Sequence, residues 1–338
     1  MTRASQHPFW PIAIAGFLAL AIPAGMLIGL GSLGAVWNAG ALVLGSFLAL
    51  VTVGTLRGLQ FEWRAMVRTT DVELHSGEEI AANTVAILAG TLCALAGTVE
   101  LGLSPVVSAS LVGIAAALVV PSVAIPAYCG AFVGMTAPDL FPTYWHALVA
   151  GGFASVVFVA AHPVFYGVGG KLGTTAFVGA TLTVLASVGE FQSDPIPAET
   201  TVALVVVYSV IGAVLTFSIH ARLPPGPVFA SGVIGVVGGV VLPLAHGDAG
   251  TLAAVAVFAA SFAGMTDPSR IPDERWMALS GLIVGLVVVY TMPYLGGSGG
   301  KLGTVAFGSS LAVHGLLGTL HVTRVRRRLE TVPHRDVT

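Results

Sequence analysis

One segment occurs twice, and it constrains everything else. Gly169-Gly170-Lys171-Leu172-Gly173-Thr174-Thr175-Ala176-Phe177 returns 130 residues later as Gly299-Gly300-Lys301-Leu302-Gly303-Thr304-Val305-Ala306-Phe307, with eight of nine positions identical. Such self-similarity means an internal duplication, so the chain must fold as two like units. In each copy the glycines and one lysine interrupt an apolar run.

Those apolar runs identify the solvent. Of 338 residues, 55% are hydrophobic and 9% charged, and the mean hydropathy is +0.92. A soluble protein carries roughly 25% charged residues, so the expectation is a polytopic membrane protein. The runs are long and lack alternation, which predicts helices rather than a barrel. A net charge of -2 suggests neither nucleic acid nor any other charged macromolecule as a partner. Cys93 and Cys129 lie inside apolar runs, away from any disulfide framework. No metal-ligand spacing occurs, and no cofactor is expected. The apolar stretch after Pro11 is too long for a signal-peptide core and reads as a retained first span.

About twelve transmembrane helices are expected, near 11–31, 36–56, 80–100, 104–120, 122–137, 144–166, 174–189, 200–219, 226–244, 249–265, 276–295 and 304–322. The duplication extends well beyond the opening motif. Pro105 to Pro121 aligns with Pro227 to Pro243 at offset 122, and Phe132-Val133-Gly134-Met135-Thr136 with Phe262-Ala263-Gly264-Met265-Thr266 at offset 130. The division that follows is two N-terminal spans with a polar segment (1–79), a five-span unit (80–189), a joint (190–199), a second five-span unit (200–322) and a basic tail (323–338). In the polar segment, Leu59, Trp63, Met66 and Val67 share a helical face, as in a helix lying in the interface; a solvated loop is the alternative. Ser76 and Glu79 have the spacing of a capping box.

Five is odd, so two consecutive units enter the bilayer in opposite orientations. The fold class is then all-α, an inverted five-plus-five repeat preceded by two helices. With the N-terminus inside, the inner segments hold Arg3, Arg57, Arg64, Arg68, Lys171, Arg222, Arg270, Arg275, Arg324, Arg326, Arg327, Arg328 and Arg335, thirteen of the fourteen basic residues. That bias places both termini in the cytoplasm of a cell (inner or plasma) membrane. Lys301 alone departs from it.

Substrate sites in inverted-repeat transporters lie near the midplane, and paired short or glycine-interrupted spans point to them. Several spans here have about 16 residues, near 25 Å of helix against an about 30 Å hydrocarbon core. The expected binding residues are therefore Gly169, Gly170, Lys171 and Thr174, with Gly299, Gly300, Lys301 and Thr304. Glycines free the backbone N–H groups, a helix N-terminus follows, and lysine adds a cation. The competing reading is a tight turn whose lysine snorkels. A nucleotide P-loop is excluded, because leucine follows the lysine in both copies. Gly134 and Thr136, with Gly264 and Thr266, read as helix packing or as a second pair of pathway positions. Glu100, His162 and His314 are the ionisable candidates for proton coupling; a lone histidine in a span is more often a packing residue. No catalytic constellation stands out.

The expectation is a transporter or channel for a small polar or anionic solute, embedded in the lipid bilayer and open to homo-oligomer formation. The plan is similar, as fold-level analogy, to urea and ammonium channels, which also use five-span inverted repeats. A membrane-embedded enzyme gripping a lipid or polyprenyl phosphate, and a non-transporting scaffold, are the alternatives.

Overall fold

The computed structural model describes residues 10–39, 42–68, 76–187, 189–224 and 226–330, with the side chains of all of these but 38–39, 42–43 and 321–330. The readings that rest on Arg3, on 69–75, on the side chains of 321–330 at the end of the last helix and on the tail beyond it lie outside the described residues. Within them the regular structure is helical, apart from one isolated bridge between Gln192 and Gly296.

Eleven α-helices follow in order: α1 (Trp10–Ala39), α2 (Leu42–Arg68), α3 (Gly77–Val99), α4 (Pro105–Val119), α5 (Ala124–Gly134), α6 (Tyr144–Ala160), α7 (Lys171–Ala186), α8 (Glu199–Arg222), α9 (Gly226–Gly264), α10 (Glu274–Tyr290) and α11 (Lys301–Glu330). Among the described residues, six are long and apolar enough to cross a membrane: α1, α2, α3, α8, α9 and α11. The chain is a helical, multi-pass membrane protein. Ile22, Val85, Val156 and Leu185 lie exposed on its outside, as a lipid-facing surface requires.

Local sequence accounts for the helix ends. Ser76 and Glu79 form the capping box: Ser76 Oγ accepts from the Glu79 N–H (3.2 Å) and Glu79 accepts from the Ser76 N–H (2.7 Å). Pro105 opens α4 behind the Ser104 cap. α9 is two helices that fold back on each other at Gly247 (φ 58°, ψ -133°): a Cβ on Gly250 would lie 1.9 Å from the Leu242 carbonyl oxygen, and one on Gly238 3.0 Å from Val257 Cγ1. The ninth and tenth apolar runs therefore meet without a loop.

The 57–68 stretch continues α2 rather than forming a separate helix. One face of it, at Gly58, Glu62 and Met66, is buried because Gly54 and Gly58 let α2 press against α11: a Cβ on Gly58 would lie 2.4 Å from the Leu311 carbonyl oxygen, and one on Gly315 2.0 Å from that of Gly54. α1 packs on α2, α6, α7, α10 and α11. Phe17 stacks on Phe165 at 4.8 Å, and Phe165 meets Phe307 edge-on at 5.0 Å. The two N-terminal helices thus clasp the outside of both duplicated units.

Within the units the packing recurs. α3 lies on α5 and α6 as α8 lies on α9 and α10, and α6–α7 matches α10–α11. The unusual backbone angles recur too: Phe165 and Leu295 (φ 55° and 53°), Gly167 and Gly297 (72° and 76°), Gly170 and Gly300 (84° and 80°), each pair 130 residues apart. The two copies of the duplicated segment fold alike.

Candidate functional site

Each duplicated segment is a buried turn that ends one helix and begins the next. Gly170 and Gly300 hold left-handed φ, which side chains rarely tolerate, and the helix starts on the residue after. α7 begins without a side-chain cap. Its first turn crosses that of α11 in direct backbone contact: a Cβ on Gly173 or Gly303 would stand 2.5 Å from the other's Cα. Two helix N-termini, each equivalent to roughly half a positive charge, therefore meet at one point.

The docking is crosswise. The Gly169 N–H donates to Thr266 Oγ1 (3.0 Å), and the Gly299 N–H donates to Thr136 Oγ1 (3.1 Å). The Asp267 N–H donates to the Gly167 carbonyl (2.9 Å), and the Ala137 N–H to that of Gly297 (2.8 Å). Each Gly-Gly-Lys turn is thus held by the Gly-Met-Thr helix end of the other unit. Both motif pairs belong to one site.

The lysines sit at the first helical position, where a cation opposes the helix dipole. Their ammonium groups resolve this by turning back onto the turn that follows the preceding helix. Lys171 Nζ donates to the carbonyls of Val164 (2.6 Å) and His162 (3.4 Å), and Lys301 Nζ to those of Tyr294 (2.5 Å) and Thr291 (2.7 Å). Cations favour these carbonyls. Val164 and Tyr294 immediately precede the left-handed Phe165 and Leu295, so each lysine pins the strained part of its turn.

Two cavities flank this crossing. The first, about 370 Å³, is lined by Lys171 and the Gly167–Gly170 turn, with His162, Tyr166 and Met265. The second, about 270 Å³, is lined by Lys301 and the Gly296–Gly300 turn, with Met135 and Asp194. Phe132 and Phe262 line both. Their rings lie 4.5 Å apart, backed by Tyr128 (4.3 Å from Phe132) and Phe258 (4.5 Å from Phe262). Tyr128 and Phe258 are also 130 residues apart. A pair of aromatic rings therefore stands between two cavities, each walled by one copy of the turn.

The other sequence-selected residues fall as follows. Thr174 and Thr304 are fully buried and donate back to the Gly170 and Gly300 carbonyls at 3.2 Å, outside both cavity walls. Gly134 and Gly264 pack helices: a Cβ there would approach the carbonyls of Thr91 (2.4 Å) and Ala213 (2.6 Å). Thr136 and Thr266 cap the crossed turns, and Thr266 Oγ1 also donates to Ser310 (3.3 Å). Glu100 ends α3 at the surface and accepts from the Tyr144 hydroxyl (2.8 Å). His162 is on the first cavity wall. His314 is remote from the crossing's core, beside Arg270 and Glu62.

Sequence reasoning passed over the aromatics and methionines. The signal lies in the aligned Phe132–Thr136 and Phe262–Thr266 stretches, where Phe132 and Met135 recur as Phe262 and Met265 beside the glycine and threonine. Among the described residues, no three His, Cys, Asp or Glu side chains are grouped to hold a metal. Compared with known proteins, the chain matches no family, no curated protein and no solved structure.

Proposed function

We propose that this protein conducts or transports a small polar solute, with an anion favoured, through a pathway between two inverted five-span units of a twelve-span cell-membrane protein whose termini face the cytoplasm. The observation that carries the reading is the pair of cavities divided by Phe132 and Phe262. A scaffold has no need of two like cavities meeting at one aromatic pair. Broken, short helices at matching positions are the usual mark of a substrate site in inverted repeats.

The anion preference rests on charge. Two helix N-termini converge at Gly173 and Gly303, with a lysine on each cavity wall. The positive ends of half-helices facing a pore exclude cations. Two of each ammonium group's three donors are engaged by turn carbonyls among the described residues, which leaves one for a solute. The solute sheds most of its water to pass the rings, so weakly hydrated monovalent anions fit better than sulfate or phosphate.

The test is uptake of labelled monovalent and divalent anions, and of neutral solutes such as urea, into proteoliposomes. Monovalent uptake above empty vesicles supports the reading. Uptake of none of these solutes, in protein that is correctly folded, removes it.

A further inference from the structure

We propose that Glu62, Arg270 and His314 form a proton-binding site that locks the wall of the first cavity, and that proton uptake there releases it. Glu62 stands on α2 with its side chain 4% exposed, and Arg270 lies in the turn after α9, 208 residues away. The guanidinium pairs with both carboxylate oxygens of Glu62. Its Nε donates to the Tyr166 carbonyl (2.9 Å). Tyr166 is a wall residue of the first cavity, and the neighbouring Gly167 is held by the same turn through Asp267. The wall is therefore tied to a buried ion pair.

His314 completes the cluster, and its tautomer follows from its partners. Nδ1 lies 3.2 Å from the Arg270 carbonyl, which can only accept, so Nδ1 carries the proton. Nε2 lies 3.4 Å from Arg270 Nη1, which can only donate, so Nε2 accepts. The imidazole in this arrangement is neutral. A proton taken from water at Nε2 would turn an N–H against the guanidinium N–H and leave two cations sharing one carboxylate. Glu62 Oε1, 3.6 Å from Nε2, is then drawn to the imidazolium, and Arg270 loses its anchor.

The charged groups around the cluster act in opposition, the Glu62 carboxylate attracting a proton to His314 and the Arg270 guanidinium repelling it. Arg270 and Glu62 are the charged neighbours of His314; Lys171, at the start of α7, faces Glu62 and Arg270; Asp267 and His220 lie on the far side of Arg270. The Asp267 carboxyl is held below the usual carboxylate range, first by the Ser269 side chain and backbone, then by His220 and Arg270. It remains charged and keeps the turn in place while His314 titrates.

The second cavity shows that the cluster is no requirement of the fold. The bond from Ala137 to Gly297 matches that from Asp267 to Gly167, and the turn has the same backbone angles. Yet Leu140 stands where Arg270 would, Val184 where His314 would, and α2 has no counterpart. A turn of this shape stands without the ion pair. What the cluster adds is a dependence on charge, on one side only.

The test reads the walls directly and needs no solute flux, so it stands or fails apart from the transport reading. In protein with Cys93→Ser and Cys129→Ala, a bimane fluorophore is placed on Asn83→Cys in the first cavity or on Leu252→Cys in the second. Acrylamide quenching is measured at about pH 8 and about pH 5, the range across which imidazole changes charge. Quenching at position 83 should rise about twofold or more on acidification as the released state becomes populated, with no rise at position 252. In His314→Gln the rise should vanish; in Glu62→Gln quenching at 83 should be high at both pH values. An equal rise at both cavities, no rise in the parent, or an undiminished rise in His314→Gln would overturn the proposal. If His314→Gln does not fold, Glu62→Gln decides alone, and a parent-like pH response there overturns it.

Discussion

Gly173 and Gly303 touch backbone to backbone, and the rest of the site is arranged around that contact. A Cβ on either residue would lie 2.5 Å from the other's Cα, far inside van der Waals contact. Only glycine at both positions lets α7 and α11 cross here. Gly173→Ala and Gly303→Ala should each destabilise the protein by about 1–3 kcal/mol, the usual range for overpacking a close contact. Gly152, on α6 with nothing near its missing Cβ, is the control; Gly152→Ala should be neutral or stabilising by up to about 1 kcal/mol. Thermal unfolding in detergent compares the three. Equal melting temperatures would mean that the crossing is looser than its geometry.

Phe132 and Phe262 are expected to set the rate and selectivity of passage, because both rings face both cavities. Leucine keeps much of the apolar volume, which avoids the about 3–5 kcal/mol that Phe→Ala costs in a packed core. Phe132→Leu and Phe262→Leu should each raise monovalent anion uptake and narrow its lead over divalent anions. The two variants should act alike, as their pseudo-equivalent surroundings require. A large effect from one and none from the other would place the pathway off the aromatic pair.

Orientation can be read independently of flux. With the N-terminus inside and twelve spans, Ser193→Cys and Asp248→Cys should react with an impermeant thiol reagent added outside intact cells. Ser76→Cys and Ser269→Cys should react only after permeabilisation. The reverse pattern, or labelling that implies an odd number of spans, would remove the inverted arrangement of the two units.

Much of this fold is legible in the sequence, for physical reasons that also explain what is not. Apolar runs reveal helices because lipid leaves the backbone no other partner. The two motif pairs are visible as repeats, since duplication preserves local sequence. Which Gly-Gly-Lys turn docks on which Gly-Met-Thr end is invisible, because offset 130 is the same for either pairing. Only the three-dimensional fold shows that Gly169 bonds Thr266 and not Thr136. Glu62 is the sharpest example. Between Phe61 and Trp63 it reads as one charge on an amphipathic surface segment, and its partner, Arg270, lies 208 residues away in a turn. No local pattern joins them, so the burial of Glu62 on an otherwise mostly exposed helix end is invisible in the sequence. The fold-back at Gly247, with Gly250 pressed on the Leu242 carbonyl, depends on backbone angles available to glycine.

The lysines separate two accounts of the same geometry. As clasps, Lys171 and Lys301 hold the carbonyls before Phe165 and Leu295, and their loss should loosen both turns. As solute contacts, each also presents a remaining donor to its cavity, and a charge at that depth is tolerated only beside polar groups, water or an anion. Lys171→Met and Lys301→Met keep the stem length and remove the charge. If clasping is the whole role, both should lower thermal stability, with anion uptake falling only in proportion to folded protein. If the ammonium also meets the solute, uptake per folded molecule should fall at least about tenfold, as loss of one charge-assisted hydrogen bond implies. Lys→Arg should not restore it, since a planar guanidinium cannot reach both carbonyls and the cavity from the same stem. We expect the second pattern in both variants. Lys301 is the decisive case, because it departs from the positive-inside bias and orientation gives no reason to keep it. Unchanged uptake per folded molecule in Lys301→Met, for an anion that the parent clearly moves, would reduce this lysine to a clasp.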